Sequence, residues 1–170
     1  LEKVLQSNEK SLFHATLGDN PVQTLEEFKG KGWLIEDEEP SFYVYEQVWG
    51  NKSRTGVFSA VEAAPYEQAK VVRHEKTFDA KVKGRIALAK ETGFTLEPIF
   101  LLTKAPLAPI MEEIKQSEPE YAFTSDFQKT SELHDIANKV WRVAEGSDLG
   151  QKIKAALESK ALYIADGHHR

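Results

Sequence analysis

The amino-acid sequence predicts an α/β protein of the α+β type, with a mixed β-sheet, flanking helices and a β-hairpin. Three observations support this class. Residues 42–49 are rich in aromatic and β-branched side chains, as half-buried strands are. Residues 147–157 repeat apolar side chains at the spacing of a helix that covers a core. Strand-like and helix-like stretches follow one another without strict alternation, which favours a mixed sheet over a doubly wound one.

The first 40 residues are predicted to form a helical N-terminal segment. Residues 1–12 have the apolar spacing of a helix. Thr24 is followed three residues later by Glu27, which is the pattern of a capping box. This pattern predicts a second helix over residues 25–31.

Residues 41–170 are predicted to form the mixed α/β body. The strand-like run 42–49 is followed by a polar stretch, 50–56, that contains two glycines, and residues 57–61 return as a second strand. This order predicts a β-hairpin with a long loop. The later elements predicted by pattern are a helix over 79–93, a buried strand over 98–103, a helix over 107–115, strands over 121–127 and 139–143, a helix opened by Ser147 and ending at Leu157, and a buried strand over 162–165.

The composition limits the classes of function. The 170 residues include no cysteine, which excludes a disulfide scaffold, a thiol nucleophile and thiolate metal sites, and favours the cytoplasm. There are 22 basic and 27 acidic residues, and a net charge of −5 argues against a general nucleic-acid partner. No apolar run approaches the roughly 18 residues of a membrane span. The composition does not indicate an oligomeric state.

The leading candidate site is a polar box that directly follows the predicted strand 162–165. We call it the terminal box; it consists of Asp166, Gly167, His168, His169 and Arg170. Gly167 adopts positive φ readily, so its backbone N–H groups can approach an anion. Arg170 offers a guanidinium fork that matches phosphate oxygens, and the two imidazoles can donate to phosphate or transfer a proton. Asp166 could hold a magnesium ion or orient a histidine. The pattern therefore predicts a phosphate site.

Two other interpretations of the terminal box remain open. It could be a turn in which Asp166 caps a following helix and the histidines are solvated. It could also be a metal site built on His168 and His169, although adjacent histidines converge poorly on one ion.

A second polar cluster, residues 73–77, precedes the predicted helix 79–93. Glu75 lies beside His74, and such a carboxylate could act as a general base. The alternative is a charged loop in which Thr77 caps the helix, with Arg85 on its solvated face. Familiar nucleotide signatures are missing, since the sequence has no glycine-lysine P-loop and no dinucleotide fingerprint. The aromatic side chains of the strand 42–49 could stack on a base, but core packing is their commoner role.

Taken together, these clusters resemble known proteins. Ile164 to Arg170 is similar to the Asp-Gly-His-His-Arg box of ADP-dependent free serine kinases, whose superfamily also contains ParB nucleotide-binding domains and sulfiredoxin. Residues 25–170 look like a large bacterial and archaeal family of unknown function that carries this box. The matching features are Tyr43-Val44-Tyr45-Glu46-Gln47, Arg54 with Gly56, His74-Glu75-Lys76-Thr77, Arg85, Pro98-Ile99-Phe100, Trp141 and Leu162 to Arg170.

The chain departs from that family in two places. It lacks the Pro-Pro-Tyr-Asp-like opening, and it has Asn138-Lys139-Val140 where members usually carry a histidine before the tryptophan matched by Trp141. Members of the family are also longer, so we expect this chain to be part of a longer protein.

The resemblance implies a ParB/sulfiredoxin-like element toward the C-terminus and a nucleotide-dependent phosphotransferase. The acceptor would be a small hydroxyl compound such as free serine, and the cofactors would be ADP or ATP with magnesium. By the same resemblance Glu75 is the candidate base, and Asp166 is the candidate contact for magnesium or the hydroxyl. The implied phosphate and nucleotide ligands are Gly167, His168, His169, Arg170, His74 and Arg85.

Two further classes of function remain open. One is a nucleotide-binding regulatory or switch module that performs no transfer, as ParB domains in the same superfamily suggest. The other is a structural or protein-interaction role, because fold kinship by itself does not establish function.

Overall fold

The computed structural model describes residues 2–65, 67–73, 77–125 and 135–169. In chain order its elements are α1 (Glu2–Ser7), α2 (Phe13–Thr16), α3 (Pro21–Gly30), β1 (Ser41–Trp49), β2 (Lys52–Phe58), β3 (Val71–Val72), α4 (Asp79–Thr92), β4 (Phe100–Thr103), α5 (Ala108–Ile114), β5 (Tyr121–Ser125), β6 (Ile136–Ala144), α6 (Asp148–Glu158) and β7 (Leu162–Asp166). Parallel and antiparallel strand pairs occur together with helices, so the predicted mixed α/β class is confirmed.

The chain divides into two compact units. Unit 1 contains residues 1–36, 71–102 and 162–170, and unit 2 contains residues 37–70 and 103–161. Each unit is therefore assembled from segments that are far apart in the sequence.

Unit 2 is built on an antiparallel sheet with the strand order β2-β1-β6-β5. The register pairs Val44 with Trp141 across β1 and β6, and both side chains are almost fully buried. Because side chains alternate along a strand, this places one face of the sheet in the core and leaves Tyr43, Tyr45 and Gln47 on the other. The buried members of the core are Val44, Leu107, Ile114, Trp141, Val143, Ile153 and Ala156, and they come from β1, β6, α5 and α6 together with the residue before α5.

The predicted helix opened by Ser147 is confirmed as α6. The Ser147 side chain accepts a hydrogen bond of 3.1 Å from the backbone N–H of Gly150, as an N-cap should. Gly150 is buried, and a β-carbon there would lie 2.1 Å from the carbonyl oxygen of Ala144. Only glycine therefore fits at this position, in the first turn of α6 shortly after the chain leaves β6.

The predicted β-hairpin is confirmed, but its loop is much shorter than the sequence suggested. Trp49 pairs with Lys52, so Gly50 and Asn51 alone form the turn. Gly50 has φ +56°, which is the left-handed backbone that two-residue hairpin turns require. The polar residues 52–56 belong to β2, an edge strand, where solvent satisfies polar side chains and no hydrophobic pattern is needed.

Unit 1 combines the N-terminal helices and α4 with a small sheet whose strand order is β3-β7-β4. Strand β7 lies in the centre and runs parallel to β3, with Val71 opposite Leu162. Leu162 and Ile164 are buried while Tyr163 is 45% exposed, so β7 has one covered face rather than two. The terminal box begins at the carboxyl end of this central strand.

The predictions for two elements of unit 1 need correction. Helix α3 begins at Pro21 rather than Leu25, and Thr24 lies inside it, donating from its hydroxyl to the Asn20 carbonyl at 3.0 Å. Proline at the first helical position set the start, because its fixed φ suits that position. The run 98–103 forms β4, but Phe100 and Leu102 are more than half exposed, so the strand is not buried.

Helix α4 matches the predicted range, yet none of its described residues is buried and Ile86 is 47% exposed. Across the part of the chain that the structure describes, no helix has the length and apolar character to cross a lipid bilayer.

Candidate anion-binding site

The site begins where β7 ends and the backbone turns sharply. Gly167 is buried and has φ +84°, a left-handed conformation that residues with a β-carbon rarely adopt. Its backbone N–H donates to Oδ1 of Asp166 at 2.7 Å. Gly167 has the positive φ that was predicted for it. The turn at this residue leads the chain from β7 to the two histidines.

The two histidines stack against each other and are half-buried. The ring centroids of His168 and His169 are 4.0 Å apart, with the ring planes inclined at 52°. The backbone N–H of Phe78 donates to Nδ1 of His169 at 3.3 Å. A neutral imidazole that accepts at Nδ1 carries its proton on Nε2. The neutral form of His169 that accepts this bond therefore has its proton on Nε2.

Phe78 is the residue at which α4 begins. Its backbone is extended, with φ −92° and ψ 119°, and its side chain makes no capping hydrogen bond. The prediction that Thr77 caps the helix is wrong, because Phe78 occupies that position. The first N–H groups of a helix have no intrahelical partner and carry the positive end of the helix dipole. The hydrogen bond to His169 thus joins the terminal box to a helix end that attracts anions.

Two more side chains lie at this helix start. The Phe78 ring is 5.5 Å from the His169 ring, centroid to centroid, and the Nζ of Lys81 is 5.8 Å from the Phe78 ring centroid. A lysine in the first turn of a helix is repelled by the positive end of the helix dipole. Asp79 in the same turn has the opposite, favourable sign. Lys81 therefore places a cation beside the Phe78 ring at the start of α4.

Sequence reasoning missed Phe78 and Lys81. The two-residue strand β3 gives no pattern that predicts it, so the path that brings residue 78 to the terminal box could not be read from the sequence. The only available signal was an apolar residue followed by Asp79 at a helix start, which is common and unspecific.

Arg85, implied by resemblance to bind phosphate, lies in the middle of α4. Its Nη1 is 2.8 Å from Oε2 of Glu97, and both side chains are about one-third exposed. The ion pair holds the guanidinium against the loop that leads to β4, and whether Arg85 binds phosphate stays a prediction. His74, Glu75 and Arg170 lie outside the described residues.

Asp166 was predicted to contact magnesium. Among the described residues, no group of three histidine, aspartate or glutamate side chains converges as a metal cage would. A magnesium ion does not require such a cage, since it commonly uses one or two carboxylates and completes its shell with phosphate oxygens and water. Asp166 is exposed and its Oδ1 accepts from the Gly167 N–H, and whether it contacts magnesium stays a prediction.

The fold and the site define a mixed α/β protein in which a left-handed glycine turn follows a parallel strand and is linked by a hydrogen bond to the start of a helix. Residues 14–170 match the family model described as "Protein of unknown function (DUF1015)". The chain therefore belongs to that family. No curated protein and no solved structure matches it.

Proposed function

We propose that the protein is a nucleotide-dependent phosphotransferase whose acceptor is a small hydroxyl compound such as free serine. The observation that carries the proposal is the hydrogen bond from the Phe78 N–H to His169, which joins the terminal box to the start of α4. The two segments that this bond joins contain a left-handed glycine, a histidine pair and the start of a helix, and features of these kinds bind phosphate oxygens in many proteins. The likeness of the box to that of ADP-dependent serine kinases, within the ParB/sulfiredoxin superfamily, supports the same conclusion.

In the proposed reaction the serine hydroxyl gives its proton to the Glu75 carboxylate while its oxygen attacks the terminal phosphorus of the nucleotide. A new O–P bond forms, the bridging P–O bond breaks, and the nucleotide leaves one phosphate shorter. Such transfer depends mainly on positioning and on neutralising the charge of the phosphoryl group. Arg170 would supply the neutralising positive charge, and His168 and His169 would supply hydrogen-bond donors, with His74 and Arg85 as further ligands. Magnesium held at Asp166 would neutralise charge on the phosphates.

Gly167→Ala tests the binding step. Any β-carbon at φ +84° is strained, so the turn that leads from β7 to the two histidines should shift. A nucleotide present at 100 times its Kd stabilises the native state by about 2.7 kcal/mol, or roughly 5 to 11 °C in melting temperature for a chain of this size. We expect ADP or ATP with magnesium to give this rise for the wild type and none for Gly167→Ala. Gly32→Ala is the matched control, because Gly32 has φ +66° and open space around it elsewhere in unit 1.

Glu75→Gln tests the transfer step. This variant should keep the nucleotide-induced rise and form no phosphoserine from serine and nucleotide, as measured by mass spectrometry. Glu91→Gln, an exposed carboxylate on α4, is the control and should keep both properties. Nucleotide binding with no phosphoserine in the wild type would identify a regulatory switch module instead. The absence of any nucleotide-induced rise would contradict both functions and leave an interaction role.

A further inference from the structure

Unit 2 contains a cleft that the proposed function does not use. We call it the sheet-end cleft, because it lies at the carboxyl end of β6, and its volume is about 430 Å³. It is lined by residues of α5, of the loop 117–120, of β6 and of the start of α6. Sites for small molecules have volumes of roughly 300 to 1,000 Å³. The sheet-end cleft is therefore large enough for a single ring with a short chain.

The floor of the cleft is part of the hydrophobic core. Ile114, Trp141 and Val143 line it and are between 3% and 7% exposed. Leu149, which also lines the cleft, packs against the same core from the first turn of α6. The ring N–H of Trp141 already donates to the Ser117 carbonyl at 2.9 Å. The floor thus offers an apolar surface on which a hydrocarbon group can lose its contact with water.

The cleft exists because β6 runs past the end of its neighbour β5. The paired residues of the two strands end at Tyr121 and Val140, whereas β6 continues to Ala144. Continuing the same register places Pro119 opposite Arg142. Proline has no backbone N–H and so cannot extend the ladder as a donor.

This ending leaves a backbone acceptor at the cleft. The Glu145 N–H donates to the Pro40 carbonyl on the β1 side of β6. Because backbone groups alternate in direction along an antiparallel strand, the N–H and C=O of Arg142 point to the opposite side, where β5 has ended. Pro119, in register there, gives the Arg142 carbonyl no N–H. The carbonyl is therefore able to accept from a ligand.

The charges of the cleft favour a cation. Its lining has the carboxylates of Glu113, Glu118 and Glu120 and the guanidinium of Arg142. Glu120 is paired with Arg142 at 3.1 Å, and Glu113 is paired with Lys152 at 3.2 Å. Glu118 is exposed and forms no ion pair with any residue that the structure describes. The Glu118 carboxylate directly precedes Pro119 and so lies in sequence beside the position that faces the Arg142 carbonyl.

We infer that the sheet-end cleft binds a small primary amine with an apolar stem. The ammonium group, which has three donors and no acceptor, bonds to the Glu118 carboxylate, with the Arg142 carbonyl as a further acceptor. The stem lies on the floor formed by Trp141 and Leu149. The inference uses residues of unit 2 only and does not depend on the proposed phosphotransfer.

The test uses 2-phenylethylamine, which is protonated at neutral pH, as the probe and the full chain as the protein. Binding is followed by NMR through the ring N–H of Trp141 and the backbone N–H of Leu149. We expect saturable shifts of both signals with a Kd of about 1 mM or tighter.

Three related compounds separate the contributions of charge and stem. The uncharged 2-phenylethanol should bind at least about tenfold more weakly, because it cannot form the charge-assisted hydrogen bond. Ethylamine should also bind at least about tenfold more weakly, because it buries much less apolar surface. Equal binding of ethylamine would indicate only the general attraction of cations to a chain of net charge −5. The anion 3-phenylpropionate should not bind.

Substitutions of Glu118 locate the site. Glu118→Gln should weaken the binding of 2-phenylethylamine at least about tenfold, and Glu118→Lys should abolish it and allow 3-phenylpropionate to bind instead. The matched control is Glu158→Gln, an exposed carboxylate in the last turn of α6, about 15 Å along the helix from its start. This control should bind as the wild type does. Circular dichroism spectra equal to that of the wild type establish that the variants fold.

Four results would overturn the inference. They are the absence of saturable binding by the wild type, unchanged affinity in Glu118→Gln, equal affinity for 2-phenylethylamine and 2-phenylethanol, and equal affinity for 2-phenylethylamine and ethylamine. Saturable shifts confined to His168 and His169 would place the probe at the terminal box and would also overturn it.

Discussion

The buried amide of Asn138 allows a quantitative test of unit 2, because its hydrogen bonds are all internal to the sheet. Asn138→Ala removes four hydrogen bonds of 3.3 Å or shorter, with Tyr45, Gln47, Ser125 and the Ile136 carbonyl. Each such bond contributes about 1 kcal/mol net. Tyr45, Gln47 and Ser125 are only half-buried, so water replaces part of the loss. We expect the free energy of unfolding to fall by about 3 kcal/mol.

The measurement is urea unfolding followed by tryptophan fluorescence. Trp33→Phe and Trp49→Phe leave Trp141 as the reporter, and Trp141 lies in the core of unit 2 with its ring N–H donating to the Ser117 carbonyl at 2.9 Å. A loss of 3 kcal/mol should also lower the melting temperature by about 6 to 12 °C.

Two comparisons show whether the network causes the loss. Asn51→Ala, in the exposed β1–β2 turn, should change stability by less than about 0.5 kcal/mol. Tyr45→Phe alone should cost about 1 kcal/mol, but much less in the Asn138→Ala background, since the two groups share one bond. A cost below about 1 kcal/mol for Asn138→Ala, or full additivity of the two substitutions, would refute the reasoning.

Three further predictions concern single positions. The hydrogen bond to Asp37 raises the pKa of Tyr43 to about 12. The stability that this bond contributes is therefore complete below pH 10 and is lost as the pH rises toward 12. In an absorbance titration at 295 nm, Tyr43→Phe should lack the tyrosine that ionises last in the wild type. Gly150→Ala should lower the free energy of unfolding by more than about 3 kcal/mol in thermal melts, because the added β-carbon meets a backbone carbonyl. Gly84→Ala, in α4, should raise the free energy of unfolding by about 0.5 to 1 kcal/mol in the same melts. Ser147→Ala should cost about 1 kcal/mol in the same melts through loss of the α6 cap.

The sequence predicted the elements whose signals are local. Ser147 and the apolar stripe of α6 were found because capping and periodicity each act within a few residues. The hairpin was found from its aromatic strand, yet the start of β2 was missed, because Lys52 to Gly56 is an exposed edge with no hydrophobic pattern. The strand β3, with two residues, was missed altogether.

The contacts that define the sites are long-range, and no local pattern encodes them. The terminal box was predicted from its own residues, and the positive φ of Gly167 was anticipated from residue type. Its neighbour Phe78 lies 91 positions away from His169, and Tyr45 lies 93 positions from Asn138. Such pairs follow from the strand order, and the strand order depends on the summed packing of the whole chain.

The position of β7 has a consequence for how the molecule is made. This strand lies between β3 and β4, but its residues are the last of the three to leave the ribosome. Until residues 162–166 have been synthesised, the two outer strands have no central partner, whereas every segment of unit 2 precedes these residues in the chain. Of the three described strands of this sheet, the central one is therefore the last to become available for pairing.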